Sequence, residues 1–587
     1  MRRRLRGAAL LLGSVIASSI ALAAPFDGPT AGITAIQTSS TDREQRWTVG
    51  NVVVRLSRSP GPDQAATDPT CAGNGTDLFV EGAPDAPTAA AIDRACHRLT
   101  FDAPSFADAT PREHIPAASA STMVALHGLA IAWVLSLLWA LPRRREPWAW
   151  ALGALALRAW VAPAHVLMGV AYPYDYLLTY AGLRSPNLRY GAGWPALMDV
   201  LRPLAGAAPE RLHDVNLALS ALTVVCVWQA VERWTRDDVA ARLSALTMAL
   251  LPLPFALATT ETSFVLVALL GAASVAGLAR ADRAGAWSAG LSAALLAHTR
   301  PDAIPVAVVV ALALVASRRV GPSFLAVAAI GARVAFLATA DFDAPPPGLT
   351  MLERIAGTIV GRHSATVVLD PTVTPFWLVP AGLFGAWCAW RRGQRGAVAL
   401  LALLVLAATG PYLIYERVTD LARFGLSAQS LWVVLAGLGA ADLGRGGVGR
   451  RAVWLAVMVA GLWVARAPLG GPMVHRVEHA FARVTLCAQP PGTRIRYDAA
   501  RDPDAGMARF FQVVCGVALR AIPADGVMSP GELVWRGVGD RWPGAHPPER
   551  CTVDPVAART TPAWDGGLEP IGDGPVSVGL FRVRDCR

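Results

Sequence analysis

Twelve apolar runs dominate the sequence, at residues 122–141, 147–170, 215–231, 239–258, 262–279, 284–297, 303–316, 324–338, 374–390, 397–415, 426–440 and 452–464. A chain with so many uninterrupted apolar segments has few folds open to it. A helix needs about 20 residues to cross hydrocarbon, and there its backbone groups must bond one another. Several runs fall short of that length, so their boundaries carry an error of a few residues. Only 16% of the chain is charged, against about 25% in soluble proteins, which excludes a soluble, disordered or coiled-coil description of the whole. The expected fold is an all-α polytopic membrane protein with about twelve transmembrane helices.

The charges orient these helices. The N-terminus reads Met1-Arg2-Arg3-Arg4-Leu5-Arg6, then an apolar stretch over 7–20, then Ala21-Leu22-Ala23. A basic start, an apolar stretch of that length and an A-x-A site make residues 1–24 a signal peptide or an uncleaved signal anchor. Both place residue 25 onward outside. Every second turn between runs then falls inside: Arg143 to Arg145, Arg233 with Arg236, Arg280 with Arg283, Arg318 with Arg319, Arg391 to Arg395, and Arg445 to Arg451. All six bear arginine, as the positive-inside rule requires. The chain is expected in the inner (plasma) membrane.

The net charge of +10 therefore reports topology and not nucleic acid, since residues 25–120 carry 12 acids against 7 arginines. All 53 basic residues are arginine, which rules out a Walker A loop and a Schiff-base lysine.

Cysteines give a second indication of sidedness. Cys71 and Cys96 lie in the exported N-terminal segment, and Cys487, Cys515, Cys551 and Cys586 in the exported C-terminal one. Only Cys226 and Cys388 fall in apolar runs. Even counts in exported segments predict disulfides, one at the N-terminal end and two at the C-terminal end, where three pairings are open. Four regions follow: the signal (1–24), an extracytoplasmic module (25–121), a transmembrane domain (122–466) and a second extracytoplasmic module (467–587). Both modules show short strand-like runs between Gly, Pro and Asp turns, so they are expected to be small and mixed or β-rich.

Two motif matches have plainer explanations. Gly444, Gly446 and Gly449 fit G-x-G-x-x-G, but they lie in a short arginine-rich turn with no βαβ unit around them. His475, Glu478 and His479 fit H-x-x-E-H without a third ligand, on an amphipathic helix just after the last run.

The informative region is the outer segment 171–214. It opens with Tyr172-Pro173-Tyr174-Asp175-Tyr176 and continues to Arg189-Tyr190-Gly191-Ala192-Gly193-Trp194-Pro195. A carboxylate among tyrosines can take an acceptor's proton while aromatic faces stack on sugar rings. Glu261 falls in the outer hairpin Thr260-Glu261-Thr262, and Arg300 in the outer turn His298-Thr299-Arg300-Pro301-Asp302. Arg158 and Arg333 lie within apolar runs, where an ionised group costs at least about 2.5–3.5 kcal/mol and usually faces a cavity or a partner. Guanidinium forks suit phosphate oxygens.

This order of elements resembles the GT-C superfamily of integral-membrane glycosyltransferases, in the broad group related to protein O-mannosyltransferases and lipid A aminoarabinose transferases. It comprises an outer-loop aspartate, R-Y-G-x-G-W-P, Leu251-Pro252-Leu253-Pro254 before an acidic hairpin, and an Arg-Pro-acid turn. The resemblance covers about residues 147–316. It implies a polyprenyl-phosphate sugar donor in the membrane lipid and an acceptor hydroxyl on lipid, glycan or protein. It makes Asp175 the acid/base carboxylate and Glu261 the second acidic position, and it places Arg300 at the lipid phosphate. Tyr174, Tyr176, Arg189, Tyr190 and Trp194 would contact substrate. Arg158 and Arg333 join them as phosphate candidates from their charge within apolar runs.

The lone Asp175 departs from the paired acids of the mannosyltransferases. Asp175 and Glu261 are hard oxygen ligands suited to a divalent cation, but two acids far apart in sequence do not by themselves make a metal site. The reaction expected is an inverting single displacement. Two other readings use the same residues: a transporter of a lipid-linked solute, and a non-catalytic scaffold on the same fold.

Overall fold

The structure is a computed structural model. It describes residues 35–40, 44–49, 52–58, 71–73, 76–82, 120–161, 173–183, 191–258, 260–339, 375, 377–410, 421–445, 476–498, 506–522, 528–537, 551–561 and 576–586. The signal segment, the apolar run 452–464, Cys96 and the G-x-G-x-x-G turn beyond Arg445 lie outside them. Residues 126–182 and 186–587 form one compact unit, and residues 1–125 with 183–185 another.

The larger unit is a helical bundle followed by a mixed domain. Its helices are α1 (Ala120–Ala140), α2 (Arg145–Val161), α3 (Pro173–Tyr180), α4 (Gly193–Ala205), α5 (Arg211–Thr235), α6 (Asp238–Leu250) and α7 (Pro252–Leu257). They continue with α8 (Phe264–Ala279), α9 (Arg283–Thr299), α10 (Ile304–Ala316), α11 (Val320–Thr339), α12 (Leu378–Arg391), α13 (Arg395–Thr409) and α14 (Leu421–Arg445).

Three of the described helices are long and apolar enough to cross a membrane, at Ser121–Ala140, Arg211–Thr235 and Val320–Ala338. Shorter apolar helices lie at Phe264–Ala279, Pro301–Ala316 and Arg395–Thr409. The apolar span Arg211–Thr235 is 83% buried inside the protein, against 33% and 22% for the other two, so α5 is central while α1 and α11 are peripheral. Outward-facing Leu138, Leu312, Phe324, Trp387 and Leu406 are all exposed. Large apolar side chains spread over the outside of a helical bundle are what contact with lipid selects, and they associate this one with a membrane.

Small residues set how closely the helices approach. A Cβ on Gly385 of α12 would lie 1.8 Å from the Leu435 carbonyl oxygen of α14, and one on Gly437 of α14 would lie 2.2 Å from Ser244 Oγ of α6. Without a hydrophobic drive between helices in lipid, such backbone contact maximises dispersion attraction.

The sequence predicts a single helix over 239–258, and the structure breaks it after Leu250. Pro252 and Pro254 carry no N–H, so the carbonyls one turn earlier lose their helical donors. Arg158 supplies the replacement. This fully buried side chain on α2 donates through Nη2 to Met248 O (2.7 Å) and Ala249 O (3.3 Å), and through Nη1 to Ser220 Oγ (2.6 Å). Arg158→Met is accordingly expected to lower stability by about 2–4 kcal/mol, because it strands buried carbonyls. Its affinity for a phosphorylated lipid should be unchanged. Thermal unfolding in detergent beside a lipid-binding titration checks both, and a lost affinity at unchanged stability would restore Arg158 as a phosphate ligand.

The segment 171–214, whose glycines and proline predict a tight, specific backbone, contains α3, α4 and the start of α5. The run 426–440 extends to the 25 residues of α14.

The C-terminal domain adds α15 (Arg476–Cys487), β6 (Arg494–Tyr497), α16 (Gly506–Cys515), β7 (Ala518–Ala521), β8 (Leu533–Arg536), β9 (Cys551–Thr561) and β10 (Val576–Cys586). The sheet order is β7-β6-β8-β10-β9, with β6 parallel to β7 and β8 and the remaining pairs antiparallel. Phe510, Phe511, Trp535 and Leu580 are buried in its core. Cys487 pairs with Cys515, tying α15 to α16, and Cys551 pairs with Cys586 across the ends of the β9–β10 hairpin. The two free cysteines among the described residues are Cys226 and Cys388, as their places in apolar runs predict.

The smaller unit holds an antiparallel sheet of β1 (Ala35–Ser40), β2 (Glu44–Val49), β3 (Val52–Arg58), β4 (Cys71–Gly73) and β5 (Thr76–Glu81). The last two strands exchange places in its spatial order.

Candidate functional site

Asp175 lies on α3, and its side chain is outside the described residues. Its neighbours on the helix are described. The Tyr176 ring meets Trp194 of α4 edge to face, with centroids 5.2 Å apart at 88°. Tyr180 donates its hydroxyl to Gly206 O beyond α4 at 2.8 Å. One helix is thereby fixed to the other at both ends.

Arg189 and Tyr190 fall outside the described residues, but the glycines after them do not. Gly191 has φ +102°, and a Cβ there would sit 2.1 Å from the His298 carbonyl oxygen. A Cβ on Gly193 would lie 2.8 Å from the His298 carbonyl carbon. Only glycine lets the backbone take that φ without strain and press onto another backbone at this range. The segment before α4 is therefore seated on the C-terminal end of α9, one residue before the turn that carries Arg300.

Arg300 leaves α9 in an extended conformation and is 8% exposed. Its Nε donates to Asp302 at 2.8 Å, its Nη1 approaches Ser263 Oγ at 3.5 Å, and its guanidinium carbon lies 4.0 Å from the Phe264 ring centroid. A carboxylate and a ring face thus hold the cation in one orientation.

Glu261 lies in the adjoining turn between α7 and α8 and is 2% exposed. Asn216 of α5 shapes that turn by donating to Thr260 O (2.7 Å) and Thr262 O (3.1 Å). Arg333 of α11 is buried beside Phe336 and acts electrostatically on His298. Glu261, Arg300, Asp302 and Arg333 all engage neighbouring groups, so none is a free charge.

The four segments that carry the chemistry in the sequence thus form one connected series, from α3 through the Gly191–Gly193 seat and the Arg300 turn to the Glu261 turn. Arg158 is not part of it, because its guanidinium serves the end of α6. Among the described residues no three His, Cys, Asp or Glu side chains gather as a metal site.

No family model matches the sequence, and no curated protein matches it. A solved structure does show similarity: ArnT from Cupriavidus metallidurans bound to undecaprenyl phosphate. It is 13% identical, with a TM-score of 0.37, over 68% of this chain and 77% of that chain. So distant a likeness carries no weight here, and the functional reading rests on the residues.

Several neighbours of the site escape sequence reading. Asn216 is a lone amide near the start of an apolar run, and a buried polar group in such a run was the available signal. Ser263 and Phe264 had none, being ordinary residues at a helix start. The C-terminal domain also reaches α3. His479 Nδ1 lies 3.2 Å from the Tyr174 hydroxyl, and both Phe510 and Phe511 pack on the Tyr174 ring. Arg483 makes a two-pronged ion pair with Glu210, its Nη2 at 2.6 Å from Oε2, next to the start of α5. That pairing holds the Arg483 guanidinium above its usual pKa. His475 lies outside the described residues, while His479 of the H-x-x-E-H match is buried against aromatic rings.

Proposed function

We propose that this protein is an integral-membrane glycosyltransferase that moves a sugar from a polyprenyl-phosphate donor to an acceptor hydroxyl at the outer face of the membrane. The observation that carries the reading is the connected series itself. The tyrosine-lined helix that bears Asp175 packs on α4, and the two glycines leading into α4 are seated on the helix end that carries Arg300.

The chemistry follows from those parts. The acceptor oxygen attacks the anomeric carbon as the bond from that carbon to the phosphate oxygen breaks. The acceptor's proton passes to Asp175, and polyprenyl phosphate leaves as an anion beside Arg300. A phosphate leaving group is already a weak base, so one base and one cation suffice. A single displacement inverts the anomeric centre. Tyr176, set against the buried Trp194, offers an aromatic face for a sugar ring.

The test supplies purified protein with a panel of polyprenyl-phosphate sugars and cell-envelope extract as a mixed acceptor. Consumption of one donor, with an inverted product, is the expected result. No turnover of any donor, by folded protein that still binds polyprenyl phosphate, would favour a transport or scaffold role.

A further inference from the structure

A cavity of about 580 Å³ opens at the opposite end of the bundle from Arg300. Its walls come from the turn after α1, the last turns of α5 and the turn between α8 and α9. Arg300 follows α9 whereas the cavity lies before it, so the 17 residues of that helix separate the two, or about 25 Å.

The frame of the cavity is internally bonded. Gln229 donates to Ala140 O at 2.9 Å, and Arg280 donates to the same carbonyl, which ends α1. Five arginines line the space, Arg143, Arg144, Arg233, Arg280 and Arg283, against two carboxylates, Glu232 and Asp282. Arg280 is paired with Asp282, Arg233 with Glu232, and Arg144 with Asp238 outside the cavity. Among the described residues neither Arg143 nor Arg283 has an ion-pair partner.

Trp228 lines the cavity and is 1% exposed, so its ring closes the inner wall. Arginine in these turns is accounted for by membrane topology, but topology does not ask that five guanidinium groups surround one cavity. The rim is apolar on the α1 side, where Leu138 and Trp139 are 60% and 57% exposed.

We infer that this cavity binds the phosphate head group of an anionic membrane lipid. Guanidinium groups take the phosphate oxygens, and the acyl chains run along the exposed face of α1. The site is independent of the proposed transferase reaction.

Full-length protein in phosphatidylcholine nanodiscs carrying a few per cent phosphatidylglycerol provides the test, with retained lipid counted by native mass spectrometry. The double variant Arg143→Gln/Arg283→Gln should weaken retention about 30-fold, from roughly a factor of five for each arginine near the surface. Both side chains are exposed and lack ion pairs, so the variant should keep its Tm in neutral discs. Equal retention by wild type and the double variant, or no preference for phosphatidylglycerol over phosphatidylcholine, would overturn the inference. Glycerol 3-phosphate and inorganic phosphate are added as competitors. If either binds as tightly as the lipid, the phosphate site stands and its assignment to a lipid is overturned.

Discussion

Asp175→Asn should lower sugar transfer by about 10²–10⁴-fold, the range for losing a positioned general base, while leaving Tm and donor binding as they are. Asparagine keeps the shape of the side chain and cannot take the proton. The surroundings of α3 make the variant safe to interpret. Leu177, Leu178 and Tyr180 are buried, Tyr176 is set against Trp194, and Tyr174 is gripped by His479, Phe510 and Phe511. The loss should fall on kcat. Unchanged turnover would move the base elsewhere, with Glu261 the next candidate. Arg300→Met supplies the contrast. It removes the cation beside the leaving phosphate, so it should raise the KM for the lipid donor as well as lower kcat.

Gly191→Ala should be the most damaging single methyl among the described glycines of segment 171–214. Two costs combine there. Alanine is strained at φ +102°, and its Cβ would stand 2.1 Å from His298 O, a backbone atom that cannot swing aside. A loss of about 3 kcal/mol or more is expected, at the upper end for point substitutions. The damage should be functional too, since lifting this segment off α9 separates the Asp175 helix from the Arg300 turn. The control is Gly153→Ala on α2, where nothing lies within 4 Å of the added methyl. Alanine is the better helix former by about 1 kcal/mol, so Tm there should hold or rise. Thermal unfolding and donor turnover measured on both variants decide the matter. Equal Tm and turnover for the two would mean that Gly191 is not seated on α9.

Much of the candidate site was legible because its parts are local. Arg300 next to Pro301, Glu261 in a polar break between apolar runs, and two glycines flanking Ala192 each stand out in a window of a few residues. What those windows could not show is which partners they meet. Arg158 illustrates the failure. A charge in an apolar run reads as a ligand for something foreign, yet its partners are carbonyls released by Pro252, some ninety residues later. Sequence had marked both the arginine and the prolines without relating them. His479 is the converse case, a residue dismissed with a motif that turned out to hold Tyr174 beside the proposed base.

The sequence by itself determined the helical character and membrane association of the bundle, through apolar runs whose burial is a property of each segment alone. It also placed an even number of cysteines, four, after the last apolar run. Only the tertiary structure decided that Cys487 meets Cys515 and Cys551 meets Cys586, that α6 ends at two prolines capped by an arginine of α2, and that α3, α4, α9 and the Glu261 turn share one contact series. The physical reason lies in the range of the interactions. Transfer into lipid depends on composition over about twenty residues, whereas these contacts depend on backbone approach and side-chain shape between segments a hundred residues apart.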